Sequence, residues 1–168
     1  MLLYDIMTSP VGDLMLVAND THLTGVRFLP DPNVDLAARG WQRANGGTPA
    51  DAILEGTRKQ LADYFDGRTT IFDLPLGATG TPFQTQVWQA LRGIPFGETI
   101  SYGELARRLG DPKAMRAVGA ANGRNPIPII VPCHRVIGAN GSLIGFGGGL
   151  ERKRWLLAHE GVVPATVL

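Results

Sequence analysis

Ser101-Tyr102-Gly103-Glu104-Leu105-Ala106-Arg107-Arg108-Leu109-Gly110, followed by Asp111-Pro112-Lys113-Ala114-Met115-Arg116-Ala117-Val118-Gly119-Ala120-Ala121-Asn122-Gly123-Arg124, decides how the second half of this chain folds. Ser101 and Glu104 have the spacing of a capping box, in which each side chain satisfies a backbone amide at the start of a helix. That helix is predicted to end at Gly110. Asp111-Pro112 predicts a third helix over Lys113–Arg124, with Asp as its cap and Pro in its first turn. Two short helices joined by a glycine-containing turn of about three residues form the helix-turn-helix pattern. Most such pairs in small proteins bind nothing, so the content of the later helix matters. Met115, Val118 and Ala121 are expected to face a core. Arg116, Ala117, Gly119, Ala120 and Gly123 leave the remaining surface small and basic, able to approach a phosphate backbone or groove closely.

Outward from this pair, Thr81-Pro82-Phe83-Gln84 is another capping box, and Phe83, Val87, Trp88 and Leu91 supply the apolar face behind it. Residues 125–136, Asn-Pro-Ile-Pro-Ile-Ile-Val-Pro-Cys-His-Arg-Val, contain three prolines and cannot form a regular helix. An extended, buried passage ending in a turn at Cys133 is expected. Asn140-Gly141 signals a hairpin turn, Gly145–Gly149 is a glycine-dense loop, and a last helix over Leu150–Glu160 stops at Gly161. In the first half, Leu2–Thr8, Asp13–Asn19 and Leu23–Leu29 read as strands, and Pro30–Thr48 as a long connection. Ile53, Leu54, Thr57, Leu61, Tyr64 and Phe65 recur at helical spacing. Gly77-Ala78-Thr79-Gly80 reads as a linker. The expected fold is α+β, with domains at 1–78 and 79–168: a small antiparallel sheet with a helix, then a mainly helical domain.

The chain has 168 residues, a net charge of +1 and one cysteine. One cysteine excludes an intrachain disulfide and a thiolate metal cage. No window approaches the roughly 18 apolar residues of a membrane span. The start, MLLYDIMTSPVG, lacks the basic and apolar regions of a signal peptide, so a cytoplasmic location is expected. Near-neutrality hides an asymmetry. Residues 1–80 hold six basic and ten acidic residues, a net −4, whereas residues 81–168 hold ten basic and five acidic, a net +5. The positive half suggests an anionic partner, although charges scattered over a solvated surface look the same.

A lone buried cysteine is usually a small hydrophobe. Here Pro132 fixes its entry, and His134 and Arg135 follow it directly. Adjacent residues do not face each other on a helix or strand, so Cys133 and His134 can couple only through a turn or a bridging water. The histidine in turn needs a partner to orient it. The acidic candidates in this half are Glu98, Glu104, Asp111, Glu151 and Glu160. Glu160, at the C-terminal end of an apolar helix, is unfavourably placed for the helix dipole, which suggests a purpose other than helix stability.

The run from Asn125 through Pro132-Cys133-His134-Arg135-Val136 resembles the active-site motif of the O6-alkylguanine-DNA alkyltransferases. The resemblance extends without gaps over residues 81–161, through Thr99–Ala106, Pro112–Gly119 and Trp155–Gly161. It implies a ribonuclease H-like first domain and a winged type of helix-turn-helix in the second. It implies DNA repair by direct reversal: the chain flips a nucleotide out of duplex DNA and transfers the alkyl group of O6-alkylguanine, and of O4-alkylthymine, irreversibly to its own cysteine. By the same resemblance Cys133 is the nucleophile. His134 deprotonates it through a water and is oriented by Glu160. Asn125 ties the recognition helix to the active-site turn. Tyr102 contacts the target phosphate and helps protonate the departing guanine. Arg116 enters the base stack, and Ala117, Gly119, Ala120 and Arg124 lie against DNA. Val136, Phe146, Gly147 and Gly148 line the guanine pocket.

The implied partner is double-stranded DNA bound largely without sequence preference, by a monomer that can also act cooperatively. No cofactor and no metal is implied. Two positions depart from the family, in which Phe146 is often tyrosine and Gly147 often serine, and a roomier pocket is expected. The chemistry agrees with this assignment. Attack at an alkyl carbon calls for a soft nucleophile, the thioether product has no carbonyl to hydrolyse, and no second thiol relays the group. One turnover per molecule is expected. The rival readings are a non-catalytic lesion binder, a transcription-regulating helix-turn-helix protein and a cysteine hydrolase.

Overall fold

The computed structural model describes residues 2–32, 40–141, 143 and 145–162. The chain divides into two compact units, Met1–Thr79 and Gly80–Leu168. Among the described residues the first unit is a four-stranded sheet with one helix. Its strands are β1 (Leu3–Met7), β2 (Leu14–Ala18), β3 (Leu23–Phe28) and β4 (Gln42–Arg43), in the order β3-β2-β1-β4. β1 and β3 both run antiparallel to β2, whose five residues are all buried.

β4 lies inside the stretch expected to be a connection, and it pairs parallel to β1, so the sheet is mixed rather than wholly antiparallel. The amide of Gln42 donates to Leu2 O (3.2 Å) and that of Ala44 to Tyr4 O (2.8 Å), closing the otherwise open edge of β1. Two exposed polar residues carry no periodicity, and that concealed the strand. The rest of this connection, residues 33–39, lies outside the described residues.

Helix α1 (Pro49–Phe65) buries Leu54, Thr57, Leu61 and Tyr64. Thr48 and Asp51 close a reciprocal capping box at its start. Arg58 fastens the helix to β1 by binding the Asp5 carboxylate and donating to Ile6 O at 3.0 Å.

The second unit begins with α2 (Pro82–Leu91), whose capping box between Thr81 and Gln84 forms as expected. It buries Val87, Trp88 and Leu91. A two-residue strand β5 (Ile100–Ser101) leads into α3 (Tyr102–Arg108), and α4 (Met115–Gly123) follows. Trp88 Nε1 donates to Ala121 O at 2.8 Å, bolting α2 to α4. Strand β6 (Val136–Ile137) pairs parallel to β5, and α5 (Leu150–His159) closes the described part of the unit.

Four local expectations need correction. Ser101 caps α3 by accepting from the amide of Glu104 at 3.0 Å, but the box is not reciprocal. The Glu104 carboxylate turns forward along the helix to Arg107 and to Arg108 Nε (3.2 Å). Helix α4 begins at Met115, later than expected. The Asp111 carboxylate accepts from the Lys113 amide (3.2 Å) and its carbonyl from the Ala114 amide (3.0 Å), so Asp111–Ala114 is a turn. Met115 is 51% exposed, while Val118, Ala121 and Asn122 form the buried side of α4. Finally, residues 127–135 are buried but not extended. Asn125 holds both ends of the passage, its Oδ1 accepting from Ile127 N (3.0 Å) and its Nδ2 donating to Val131 O (2.8 Å). The chain curls between them, with Val131 N donating to Ile127 O (2.9 Å) and Ile129 at φ +73°.

The turn at Asn140-Gly141 is present, with Gly141 N donating to Gly138 O at 2.9 Å. β6 pairs with β5 and not with a strand beyond that turn among the described residues.

Candidate active site

Cys133, His134 and Arg135 form one turn of 3-10 helix between the curled passage and β6. All three are buried. His134 is fully buried, and its Nε2 lies 2.8 Å from Glu160 Oε2. A carboxylate only accepts, so Nε2 carries the proton and Nδ1 is left as the basic nitrogen. Nδ1 is buried and makes no hydrogen bond among the described residues.

Glu160 is the C-cap of α5 and is itself buried. Besides His134 it receives Arg135 Nε on Oε1 (2.7 Å), Arg135 Nη2 on Oε2 (3.0 Å) and the Gly97 amide on Oε1 (3.4 Å). Burial lowers the pKa of His134, and the charges of Arg135 and Lys153 add to that, against the pull of Glu160. The ring is therefore held neutral and able to accept a proton at neutral pH.

Burial pushes the Cys133 thiol up to about 11. A hydrogen bond from the Asn125 side chain and the charge of Lys153 work in the opposite direction. Lys153 projects from α5 and is fully buried. Its Nζ donates to Val136 O (2.7 Å) and lies 3.5 Å from Gly145 O. Desolvation brings its pKa down to about 8, so it still carries its charge at pH 7. Among the described residues the buried charged side chains are Arg135 and Lys153 against Glu160. Two cations facing one anion leave an excess positive charge, which a thiolate at Cys133 neutralises. The resting thiol is protonated, and the site is electrostatically prepared for its anion.

Asn122 reaches from α4 to this turn, its Nδ2 donating to Cys133 O at 3.3 Å. Tyr102, at the start of α3, donates from Oη to Gly145 O at 3.2 Å. Burial, and the charge at Cys133, raise the pKa of that phenol and keep it a proton donor. The arrangement therefore joins a buried thiol, a neutral imidazole with a fixed tautomer, an anchored carboxylate and a phenol that holds its proton.

The family profile described as 6-O-methylguanine DNA methyltransferase, DNA binding domain, matches residues 82–162. That of the ribonuclease-like domain of the same methyltransferase matches residues 2–78.

The chain belongs to the 6-O-methylguanine DNA methyltransferase family.

It is 49% identical over 160 residues to the methylated-DNA–protein-cysteine methyltransferase of Mycolicibacterium paratuberculosis, covering 95% of this chain and 93% of that one. It is 54% identical over 130 residues to the enzyme of that name from Salmonella typhimurium, covering 77% and 73%. The crystal structure of Mycobacterium tuberculosis OGT in complex with DNA superimposes with a TM-score of 0.84 at 47% identity, covering 97% of this chain and 96% of that one.

Within this methyltransferase fold, the expected residues fall into three places. Cys133, His134, Glu160, Asn125 and Val136 gather around the 3-10 turn. Tyr102 joins them across Gly145. Arg116, Ala117, Ala120 and Arg124 are exposed on α4, with Gly119 half-buried against the Tyr102 ring. Phe146, Gly147 and Gly148 lie in the loop before α5, and Arg152 Nη1 donates to Gly148 O at 2.9 Å. Gly147 approaches the end of α4: an added Cβ there would lie 3.3 Å from Gly123 O. Sequence reasoning passed over Lys153, Arg135 and Asn122 as participants. A buried charge is indistinguishable in sequence from a solvated one.

Proposed function

We propose that this chain repairs duplex DNA by direct reversal, transferring the alkyl group of O6-alkylguanine to Cys133 in one irreversible event. The observation that carries the reading is the buried His134–Glu160 pair directly beside Cys133, on a turn tied by Asn122 to the helix that presents Arg116.

The exposed small-and-basic surface of α4 approaches the duplex, and backbone phosphates supply most of the affinity, independent of sequence. Arg116 fills the gap as the damaged nucleotide leaves the stack, an extrusion that costs a few kcal/mol. His134 takes the thiol proton through one water, at Nδ1. The sulfur attacks the alkyl carbon, a C–S bond forms, and the C–O6 bond breaks with its electron pair going to the guanine. Tyr102 delivers a proton to the departing base, and the proton held by His134 restores the balance. Lys153 stabilises the thiolate while it exists. The thioether that remains has no route back, so each molecule acts once. O4-alkylthymine presents the same alkyl–oxygen bond and is a second substrate. The protein acts as a monomer in the cytoplasm, with cooperative coating of DNA open to test.

Incubation with duplex DNA containing O6-methylguanine, followed by intact-protein mass measurement, tests this directly. One added methylene mass, absent in Cys133→Ala, is expected. Repaired DNA with unchanged protein mass, or repeated turnover, would overturn it.

A further inference from the structure

The mechanism above uses His134 and Glu160 but gives no task to Arg135, although its guanidinium makes three hydrogen bonds in the cluster. Its guanidinium is buried and spends its donors on fixed partners. Nε and Nη2 grip the two oxygens of Glu160 at 2.7 and 3.0 Å, and Nη1 donates to Ile94 O at 2.7 Å. Its Cζ lies 5.8 Å from the Phe96 ring centroid, in cation–π range. Three segments therefore meet on this one group: the turn that bears the thiol, the loop after α2 and the end of α5.

We propose that Arg135 is the positioning residue of the relay. It holds Glu160 ionised and oriented so that the carboxylate takes the Nε2 proton of His134 and leaves Nδ1 as the only proton acceptor of the ring. A buried carboxylate without a cation would tend to take a proton itself, and a protonated Glu160 no longer dictates which ring nitrogen is basic. A bidentate guanidinium fixes both the charge and the plane of the carboxylate, which an ammonium cannot. The charged groups bearing on His134 are Glu160, Arg135 and Lys153, with the Cys133 thiol adjoining. Removing Arg135 takes away one of the two positive charges that disfavour protonation of the ring.

This inference rests on the proposed alkyl transfer, so the test has an arm that does not. In the first arm, single-turnover transfer from saturating O6-methylguanine duplex is followed against pH. Arg135→Met is expected to lower the rate at pH 7 by about ten- to a hundredfold, as for other outer partners that orient a working histidine. Its acidic limb should move to higher pH, and Arg135→Lys should recover part of the rate. In an E160Q background the Arg135 substitution should add little. The second arm, without DNA, is the 15N NMR pattern of His134. The Nε2–H tautomer is expected in the wild type and a mixture in Arg135→Met.

Wild-type rate and pH profile in Arg135→Met, a loss additive with E160Q, or a single Nε2–H tautomer in every variant would each overturn the proposal. If Arg135→Met does not fold, Arg135→Lys is read by the same criteria. If the wild type transfers no alkyl group, the functional reading fails and the tautomer alone decides the role of Arg135.

Discussion

The ammonium of Lys153 lies 2.7 Å from the carbonyl oxygen of Val136, three residues beyond the cysteine, with no part of the side chain exposed. Isolated buried ammonium groups are costly, and this one persists because backbone carbonyls solvate it. Its charge lowers the pKa of Cys133 against the larger effect of burial.

Lys153→Met therefore makes the thiol less acidic. Iodoacetamide modification of Cys133 at pH 7, read by mass, should slow by about tenfold for each unit the thiol pKa rises. Loss of the donor to Val136 O also leaves a buried acceptor unsatisfied, at about 1–3 kcal/mol. Unchanged thiol reactivity in a folded Lys153→Met protein would show that the ammonium does not act on the sulfur.

Glu160→Gln keeps the shape of the side chain and removes its charge. Arg135 is then a buried cation with no anion, and breaking a buried pair in this way costs about 3–5 kcal/mol. The urea midpoint should fall accordingly, with the slope of the transition unchanged. A variant as stable as the wild type would mean that the three-residue cluster contributes nothing to folding.

His134 gives stability a pH dependence of known sign. Its pKa in the folded protein lies below 6.5, with burial the largest cause. Between that lower value and 6.5, the unfolded chain binds a proton that the folded protein refuses. Stability thus rises with pH across this window and is lost as pH falls through it. Urea denaturation at pH 7 and pH 5 should show the loss, and His134→Gln should flatten it. An equally steep fall in His134→Gln would place its cause elsewhere.

Arg116 is exposed at the start of α4 and forms no part of the buried cluster. Arg116→Ala should leave the urea midpoint within about 0.5 kcal/mol of wild type. It should slow alkyl transfer from duplex far more than from single-stranded DNA, because only the duplex must be unstacked. Equal slowing on both substrates would remove Arg116 from the flipping step.

What could be read without coordinates was whatever the chain states locally. The boxes at Thr81 and Ser101 announce α2 and α3 because a cap and its partner sit three residues apart, although the Glu104 carboxylate was drawn away by Arg107 and Arg108. Glu160 betrayed itself by sitting at the wrong end of a helix dipole. Properties set by distant partners stayed hidden. Met115 and Val118 lie on one face by periodicity, yet only Val118 meets a core. β4 exists because β1 has an edge to fill. The inward turn of Lys153 depends on carbonyls at Val136 and Gly145, which nothing near residue 153 records.

Gly147 sets the distance between the loop before α5 and the end of α4. An added Cβ would stand 3.3 Å from Gly123 O, tighter than ordinary contact, so a serine forces the loop or the helix end to yield by a few tenths of an ångström. Its hydroxyl also brings a polar group into a loop where this chain has only backbone and Phe146. Both effects narrow the proposed guanine pocket for bulky adducts more than for methyl. Gly147→Ser is therefore expected to lower the ratio of benzyl to methyl transfer, with methyl transfer retained within about tenfold, since one or two carbons in a pocket are worth roughly 1–3 kcal/mol. Single-turnover rates on the two lesions in matched duplexes measure the ratio directly. A ratio equal to wild type would mean that the loop relaxes freely and that the glycine does not set lesion size.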